Sequence, residues 1–449
     1  MPSFPWPRLF LASLGVLVVV LGVRHVRKVA DDRSAFRRWQ PQIQALDEGA
    51  DLSAKFNYPN PPIMAVLLEP LAWLPPVPAA MTWFACEVAF AGLALFWVIR
   101  LVEQGTPMPN WAWAIVVLCS LKPIADELAH GNVNLFILFL VVAALVAHRR
   151  GWDLRAGVAL ALAIACKTTP LLFVPYFAWK RSWRLLAGVV AGMALFTYPG
   201  IVPSARLGFV ENQRQLVSWF DGMVRPYVLE GRVTSSHINQ SLPGVVSRLV
   251  THSTSFTVWV DRVRPVYRYD NLLELSPQVA KTITMGFMAG FVALVVWTCR
   301  GRTANAGEYA LIVLGMLLFS ERTWKHHCVV LMLPFAVLVH RLSQSRERWA
   351  LSAILLVALS LTLLPGLNPG HERNTVADTP GFAKMAQVYG AYTAAFLLLL
   401  GGVVVVLRRG HRPMTAYAVG RPAVREEPRH ADRVAPEPQP RRRPAGAAC

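Results

Sequence analysis

Apolar residues in this chain fall in long runs, at 9–23, 81–98, 134–147, 185–202, 283–298 and 394–407 among others, with polar residues gathered in the gaps. Such runs approach or reach the length a helix needs to cross about 30 Å of hydrocarbon, where every backbone polar group must be satisfied within its own segment. The runs therefore predict membrane helices. The gaps between them alternate in kind. Arg149-Arg150, Lys180-Arg181 with Arg184, Arg300 with Arg302, Arg341 with Arg346 and Arg348, and Arg408-Arg409 sit directly against apolar ends. The other gaps, at 24–79, 123–133, 204–279, 320–327 and 366–385, are rich in Trp, Tyr, Asn, His and Asp. Short basic loops mark the cytoplasmic side of a membrane. The second set is then expected to face outward and to carry the chemistry, with both termini cytoplasmic. The run at 9–23 lacks a small-residue cleavage pattern after it and reads as a retained anchor.

One stretch breaks the parity. Between the basic clusters at 149–155 and 180–184 lies a single apolar run interrupted by Lys167-Thr168-Thr169-Pro170. One straight span would strand a basic cluster outside, so the pattern predicts two short helices that go in and come back, with Lys167 and Pro170 at the bend. The fold class that follows is all-α, a polytopic bundle of about 10–12 membrane helices with short outer-face helices. Val245, Val246, Leu249 and Val250, interleaved with Ser247 and Arg248, predict one such helix, amphipathic and interfacial. The run 63–74 is too short to span and is expected to lie in the interface or to re-enter from outside.

Composition agrees with this picture: 54% of the 449 residues are hydrophobic and 16% charged, and the mean hydropathy is +0.40. The formal net charge of +19 belongs largely to the basic loops and to 408–449, an Arg- and Pro-rich stretch without apolar periodicity that reads as a disordered cytoplasmic tail. Anionic lipid headgroups are the expected partner of that charge, and nucleic acid is not. Cys86, Cys119, Cys166, Cys299 and Cys328 lie in or against apolar runs and Cys449 in the tail, which gives neither a disulfide framework nor metal spacing. No Walker loop, HExxH, GxSxG or dinucleotide fingerprint is present.

Candidate chemistry sits in the outer segments. Asp31 and Asp32 follow the first run at headgroup level, where a carboxylate within hydrogen-bond reach of a hydroxyl can act as a general base; the same pair would also neutralise Arg33 and Lys28. The basic group 24–38, Arg37 included, stands on the side expected to be outer, so that either the positive-inside rule fails locally or those charges serve an anionic ligand there. Tyr58 and Asn60 stand in Tyr58-Pro59-Asn60-Pro61-Pro62, whose prolines pre-set an extended turn. Asn132 and Asn134 could meet sugar hydroxyls or simply cap a helix. Lys167 is an ionisable group at membrane depth, costly by about 2.5–3.5 kcal/mol, and such groups face a cavity, a partner or a ligand unless they snorkel. Asn239 and Gln240 lie among the aromatics of the long outer segment, a mixture suited to carbohydrate and equally to a small interfacial lid. Trp324, Lys325, His326 and His327 collect donors suited to phosphate oxygens, in what would otherwise be a polar turn.

These segments, in order, resemble glycosyltransferase family 87 of the GT-C superfamily, the polyprenyl-phosphate-mannose-dependent mannosyltransferases. The resemblance rests on Asp32-Arg33-Ser34-Ala35-Phe36 with Trp39, Tyr58-Pro59-Asn60-Pro61-Pro62, Gly131-Asn132-Val133-Asn134, Lys167-Thr168-Thr169-Pro170 with Trp183-Arg184, Asn239-Gln240-Ser241 and Trp324-Lys325-His326-His327, and covers almost all of 1–407. It implies a GT-C membrane domain over 1–407 and a catalytic aspartate in the first outer loop. Many members carry that aspartate farther along, close before an aromatic residue. Here that neighbourhood reads Ser34-Ala35-Phe36, which makes Asp32 the expected base and Asp31 its reserve.

The expected reaction moves a hexose, mannose by resemblance, from a polyprenyl-phosphate carrier to a lipid-linked or glycan acceptor on the outer face of the plasma membrane. It is a single inverting displacement. Lys167, Lys325, His326, His327 and Arg37 are expected around the donor phosphate, and Tyr58, Asn60, Asn132, Asn134, Asn239, Gln240 and Trp324 around sugar or acceptor. No cofactor and no metal are expected, although Asp31-Asp32 could coordinate Mg²⁺. A transporter or lipid flippase would also have many spans and a buried Lys, but should show paired repeats, which the sequence lacks. An inactive relative would leave Asp31 and Asp32 pointing away from any cavity.

Overall fold

The computed structural model describes residues 6–103, 105–260, 264–344, 348–366 and 381–410. Most of the stretch 408–449, read above as a tail, and 367–380 of the outer segment 366–385 lie outside the described residues. The protein is a multi-pass, all-α membrane protein. Among the described residues six helices have the length and apolarity to cross a bilayer: Arg8–Ala30, Pro76–Glu103, Trp183–Leu207, Pro277–Thr298, Lys325–Gln344 and Ala391–Arg409. Shorter apolar helices stand beside them at Pro62–Ala72, Asn134–Arg149, Ala306–Leu318 and Arg348–Leu363.

The run broken by Lys167 folds as two pieces. A helix over Asp153–Cys166 ends with Lys167 in extended backbone (φ −158°, ψ 125°), and Pro170 opens a 3₁₀ turn over Thr169–Leu172 that leads into a helix over Phe173–Trp179. The second piece returns to where the first began, because the Phe177 ring lies 5.0 Å from that of His148. The outgoing piece is clamped by the following helix, Trp183–Phe196. Gly157 and Gly188 make that clamp: a Cβ on Gly157 would sit 2.1 Å from the Leu185 carbonyl oxygen, and one on Gly188 2.3 Å from that of Leu154. Only residues without side chains allow two backbones so near.

The basic loops meet at one end of the bundle. Arg149 donates to the carbonyls of Arg100 and Leu101, His340 contacts the Thr106 carbonyl at 3.0 Å, and Lys180 bonds the Cys299 carbonyl at 3.1 Å. Lys180 also forms a fully buried ion pair with Glu308 at 2.7 Å. Glu308 opens the helix Ala306–Leu318. The other end of that helix reaches Lys167, so this one element ties the two ends of the molecule together.

Two features depart from the sequence reading. The helix Leu242–Val250 forms as expected, but it buries its polar side: Arg248 is 0% exposed. Its guanidinium donates to the carbonyls of Ser235, Ser236, Asn239, Gln387 and Val388. Carbonyl oxygens that no secondary structure had satisfied supply the reason. The same long segment also holds a small antiparallel hairpin, Phe256–Val260 against Arg264–Arg268, with Val258 opposite Val266. Its β-branched and aromatic residues favour a pleated strand.

Candidate active site

At the end of the bundle opposite the basic loops, several segments converge. The first helix arrives with Lys28, whose ammonium donates to the Ala129 carbonyl at 2.7 Å, and turns through Asp31 and Asp32. Asp32 adopts φ +53°, a left-handed conformation that Asp tolerates better than most residues. Ser34 then caps the helix Ala35–Gln44 by accepting from the Arg37 N–H. Asp32 holds the Arg37 guanidinium at 2.9 Å and Asp31 approaches Arg33 at 3.9 Å; both carboxylates are mostly exposed.

The helix Asn110–His130 arrives beside them and stops at Gly131 (φ +66°). A Cβ there would lie 3.1 Å from His25 and 3.7 Å from the Ser34 Cβ, so the first loop and this turn are in contact. The chain reverses and starts the helix Asn134–Arg149. The reversal brings Asn134 back over Glu127, a carboxylate with no exposure. Glu127 Oε1 accepts the Asn134 backbone N–H at 2.6 Å, and Oε2 accepts the amide Nδ2 at 3.0 Å. Asn134 Oδ1 in turn accepts from the Lys167 ammonium.

Lys167, Asn134, Thr169, Ser320, Thr323 and His327 line a cavity of about 20 Å³, room for about one water molecule. His327 Nδ1 accepts the Trp324 N–H at 3.1 Å, which leaves Nε2 as the donor of a neutral ring. His326 stacks on His130 with ring centres 4.4 Å apart, and Trp324 stands edge-on to it at 5.4 Å. Lys325 is 3.9 Å from Asp126, which also binds Lys122. Asp31 and Asp32 line neither this cavity nor the apolar one described below, which is the arrangement expected of an inactive relative; they share only this end of the bundle.

Among the described residues, buried Trp324 Nε1 and His326 Nε2 have no hydrogen-bond partner, while the buried Tyr58 hydroxyl and Asn60 side chain interact with each other. Folded proteins rarely bury such groups unpaired, and where they do the exception calls for a functional explanation. Other expected contacts are already spent. Asn132 Oδ1 accepts the Val133 N–H and its carbonyl accepts Trp83 Nε1. Asn239 binds the Thr234 and Glu321 carbonyls and the Ser241 and Thr323 N–H groups. Gln240 is held by the His237 and Gln387 carbonyls and the Tyr392 N–H. These three amides build the frame around the cavity. Burial raises the Glu321 carboxyl above its ordinary range, against the adjacent Arg322 guanidinium. Glu127, His130, Thr169, Ser320 and Thr323 were not singled out from the sequence. A carboxylate in an apolar helix, seven residues before a helix-starting Asn, was the available signal for Glu127.

A second cavity, of about 460 Å³, is almost wholly apolar. It lies between the helices Pro277–Thr298 and Ala391–Gly410 and is lined by Ile283, Phe287, Leu294, Leu318, Phe319 and Leu400 among others. Leu318 and Phe319 face it, while Met316, Leu317 and Ser320 face the polar cavity. The two spaces therefore flank the same helix end.

Comparison with known proteins places these observations. The sequence model of glycosyltransferase family 87 matches residues 58–321. A relative from Mycobacterium tuberculosis, named polyprenol-phosphate-mannose-dependent alpha-(1-2)-phosphatidylinositol mannoside mannosyltransferase, is 27% identical over 379 residues, covering 80% of this chain and 78% of its own. A protein of the same name from Mycolicibacterium smegmatis is 26% identical over 368 residues, 78% of this chain and 76% of its own. A third, from M. tuberculosis, named as the corresponding phosphatidylinositol pentamannoside mannosyltransferase, is 23% identical over 290 residues, 63% of this chain and 58% of its own.

Proposed function

This chain belongs to glycosyltransferase family 87, and from that premise we propose that it transfers mannose from a polyprenyl-phosphate-mannose donor to a phosphatidylinositol-mannoside-type lipid acceptor on the outer face of the plasma membrane. The observation that carries the reading is the cluster of Lys167, Asn134 and His327 around one polar cavity, with unpaired buried donors beside it and an apolar groove on the other side of the same helix end. A lipid phosphate needs that combination. Its charged head requires donors and its isoprenoid tail requires an apolar channel.

In the reaction, Asp32 takes the proton of the acceptor hydroxyl and the acceptor oxygen attacks the anomeric carbon from the side opposite the phosphate. The bond from that carbon to the phosphate oxygen breaks, and its electron pair leaves on the polyprenyl phosphate. Charge therefore grows on the phosphate as the bond lengthens. On this reading Lys167 and the His327 N–H meet that charge in a cavity that opens on donor binding beyond the room for one water it has here, with Lys325 and His326 nearby. Donors of this kind are worth about 2.7–4 kcal/mol each to the transition state. Seating the tail in the groove holds the head in register and lowers the entropic cost of the encounter. Arg37, paired to Asp32, orients the base. Trp324 offers its unpaired indole N–H, and Tyr58 with Asn60 their mutually bonded polar side chains, to sugar or acceptor hydroxyls, while Asn132, Asn239 and Gln240 keep the frame in place.

Membranes containing the protein, incubated with radiolabelled polyprenyl-phosphate-mannose and phosphatidylinositol mannosides, are expected to yield labelled lipid product. Absence of transfer from any polyprenyl-phosphate sugar would defeat the reading. The face is tested separately. Thr168 is exposed next to Lys167, so Thr168→Cys in intact cells should react with an impermeant thiol reagent added outside. Labelling only after the cytoplasmic side is opened would reverse the topology.

A further inference from the structure

Glu127 has no place in the chemistry above, yet it is a fully buried carboxylate one turn from the end of its helix. Such a group must be hydrogen-bonded or neutralised. Both its oxygens are used, and both by Asn134. That arrangement determines how the Asn134 amide is turned. An amide has a donor end and an acceptor end, and the Glu127 oxygen that accepts here claims the nitrogen. The Oδ1 end is then forced away from Glu127, toward Lys167, whose ammonium donates to it. The αL turn at Gly131 makes this possible by bringing Asn134 back over the helix it has just left. Glu127 is also the opposite charge that acts on the Lys167 ammonium.

We propose that Glu127 is the positioning residue for Lys167, acting through Asn134 to hold the ammonium at the cavity where a lipid-phosphate head is received. Glu127 touches no substrate. Its contribution is to keep the donor aimed before the phosphate arrives, which is what allows a hydrogen bond to favour the transition state without reorganisation. The inference rests on the proposed function only for the identity of the phosphate.

The test uses the purified full chain and four forms: wild type, Glu127→Gln, Lys167→Met and the double variant. Glutamine keeps the shape but turns a donor toward Asn134 and removes the charge. Each form is titrated with polyprenyl phosphate lacking sugar, followed by tryptophan fluorescence, and assayed for mannosyl transfer. Glu127→Gln is expected to weaken polyprenyl phosphate binding about tenfold, in the manner of outer-shell partners that orient a ligating group. On the Lys167→Met background it is expected to cost less than about twofold, because residues that act as one unit are not additive. A merely structural role for Glu127 predicts the same factor on both backgrounds, and that result, or an unchanged affinity in Glu127→Gln alone, would overturn the inference. Should Glu127→Gln fail to fold, Asn134→Ser carries the same cycle, since it spares the backbone N–H to Glu127 and removes the side-chain amide that joins Glu127 to Lys167. Coupled binding without mannosyl transfer would sink the donor-sugar reading and leave Glu127's role standing. Transfer with multiplicative losses would do the reverse, and a wild-type protein that binds no polyprenyl phosphate would overturn both.

Discussion

Lys167→Met should lower kcat by about 10²- to 10³-fold, the loss expected when one donor aimed at a developing oxyanion is removed. Methionine keeps the unbranched stem and its apolar contacts, so the change isolates the ammonium. The chain should still fold, because Glu127 retains both bonds from Asn134. Size-exclusion profiles and the thermal midpoint in detergent check that point, and initial rates at saturating donor check the effect. The fall belongs mainly in kcat, since the donor carries one phosphate charge before the bond breaks and gains a second only as the polyprenyl phosphate leaves. A variant whose donor KM rose while kcat held would show that Lys167 binds the ground state and does no more. A variant as fast as wild type would remove the polar cavity from the mechanism.

Much of the architecture was readable from the one-dimensional pattern because membrane burial imposes it segment by segment. Basic residues beside apolar ends gather at one end of the bundle, as Arg149 and Lys180 demonstrate. The bend at Lys167 and Pro170 was legible for the same reason: a basic cluster on each side of a single run permits no straight crossing. Within the candidate site, Lys167 announces itself by depth alone. Its partners do not. Ser320, Thr323 and Thr169 are ordinary loop residues in sequence, and only the packing of the helix Ala306–Leu318 against the turn Thr169–Leu172 brings them to the lysine. Periodicity also misassigned Arg248. It marks which side of a helix differs from the other, but cannot weigh five backbone carbonyls waiting on the polar side. Asn239 and Gln240 illustrate the converse: amides suited to a sugar are equally suited to an irregular backbone, and here the backbone takes them.

Asp32→Asn should reduce transfer by about 10²- to 10⁴-fold, the contribution typical of a positioned general base. The substitution is close to isosteric, and the asparagine oxygen can still accept from Arg37, which Asp32 holds at 2.9 Å. What it loses is the ability to take the acceptor's proton. The mostly exposed position of Asp32 suits this task under the proposed mechanism, in which the acceptor headgroup would arrive from the aqueous side and the donor phosphate would be held by Lys167. Asp31→Asn should change the rate by less than about twofold, its contact with Arg33 being long and exposed. Donor binding separates base from binder: polyprenyl phosphate affinity should be unaltered in Asp32→Asn, in contrast to Glu127→Gln. Equal transfer by Asp32→Asn and wild type would exclude Asp32, and a collapse in Asp31→Asn instead would move the base one residue toward the membrane.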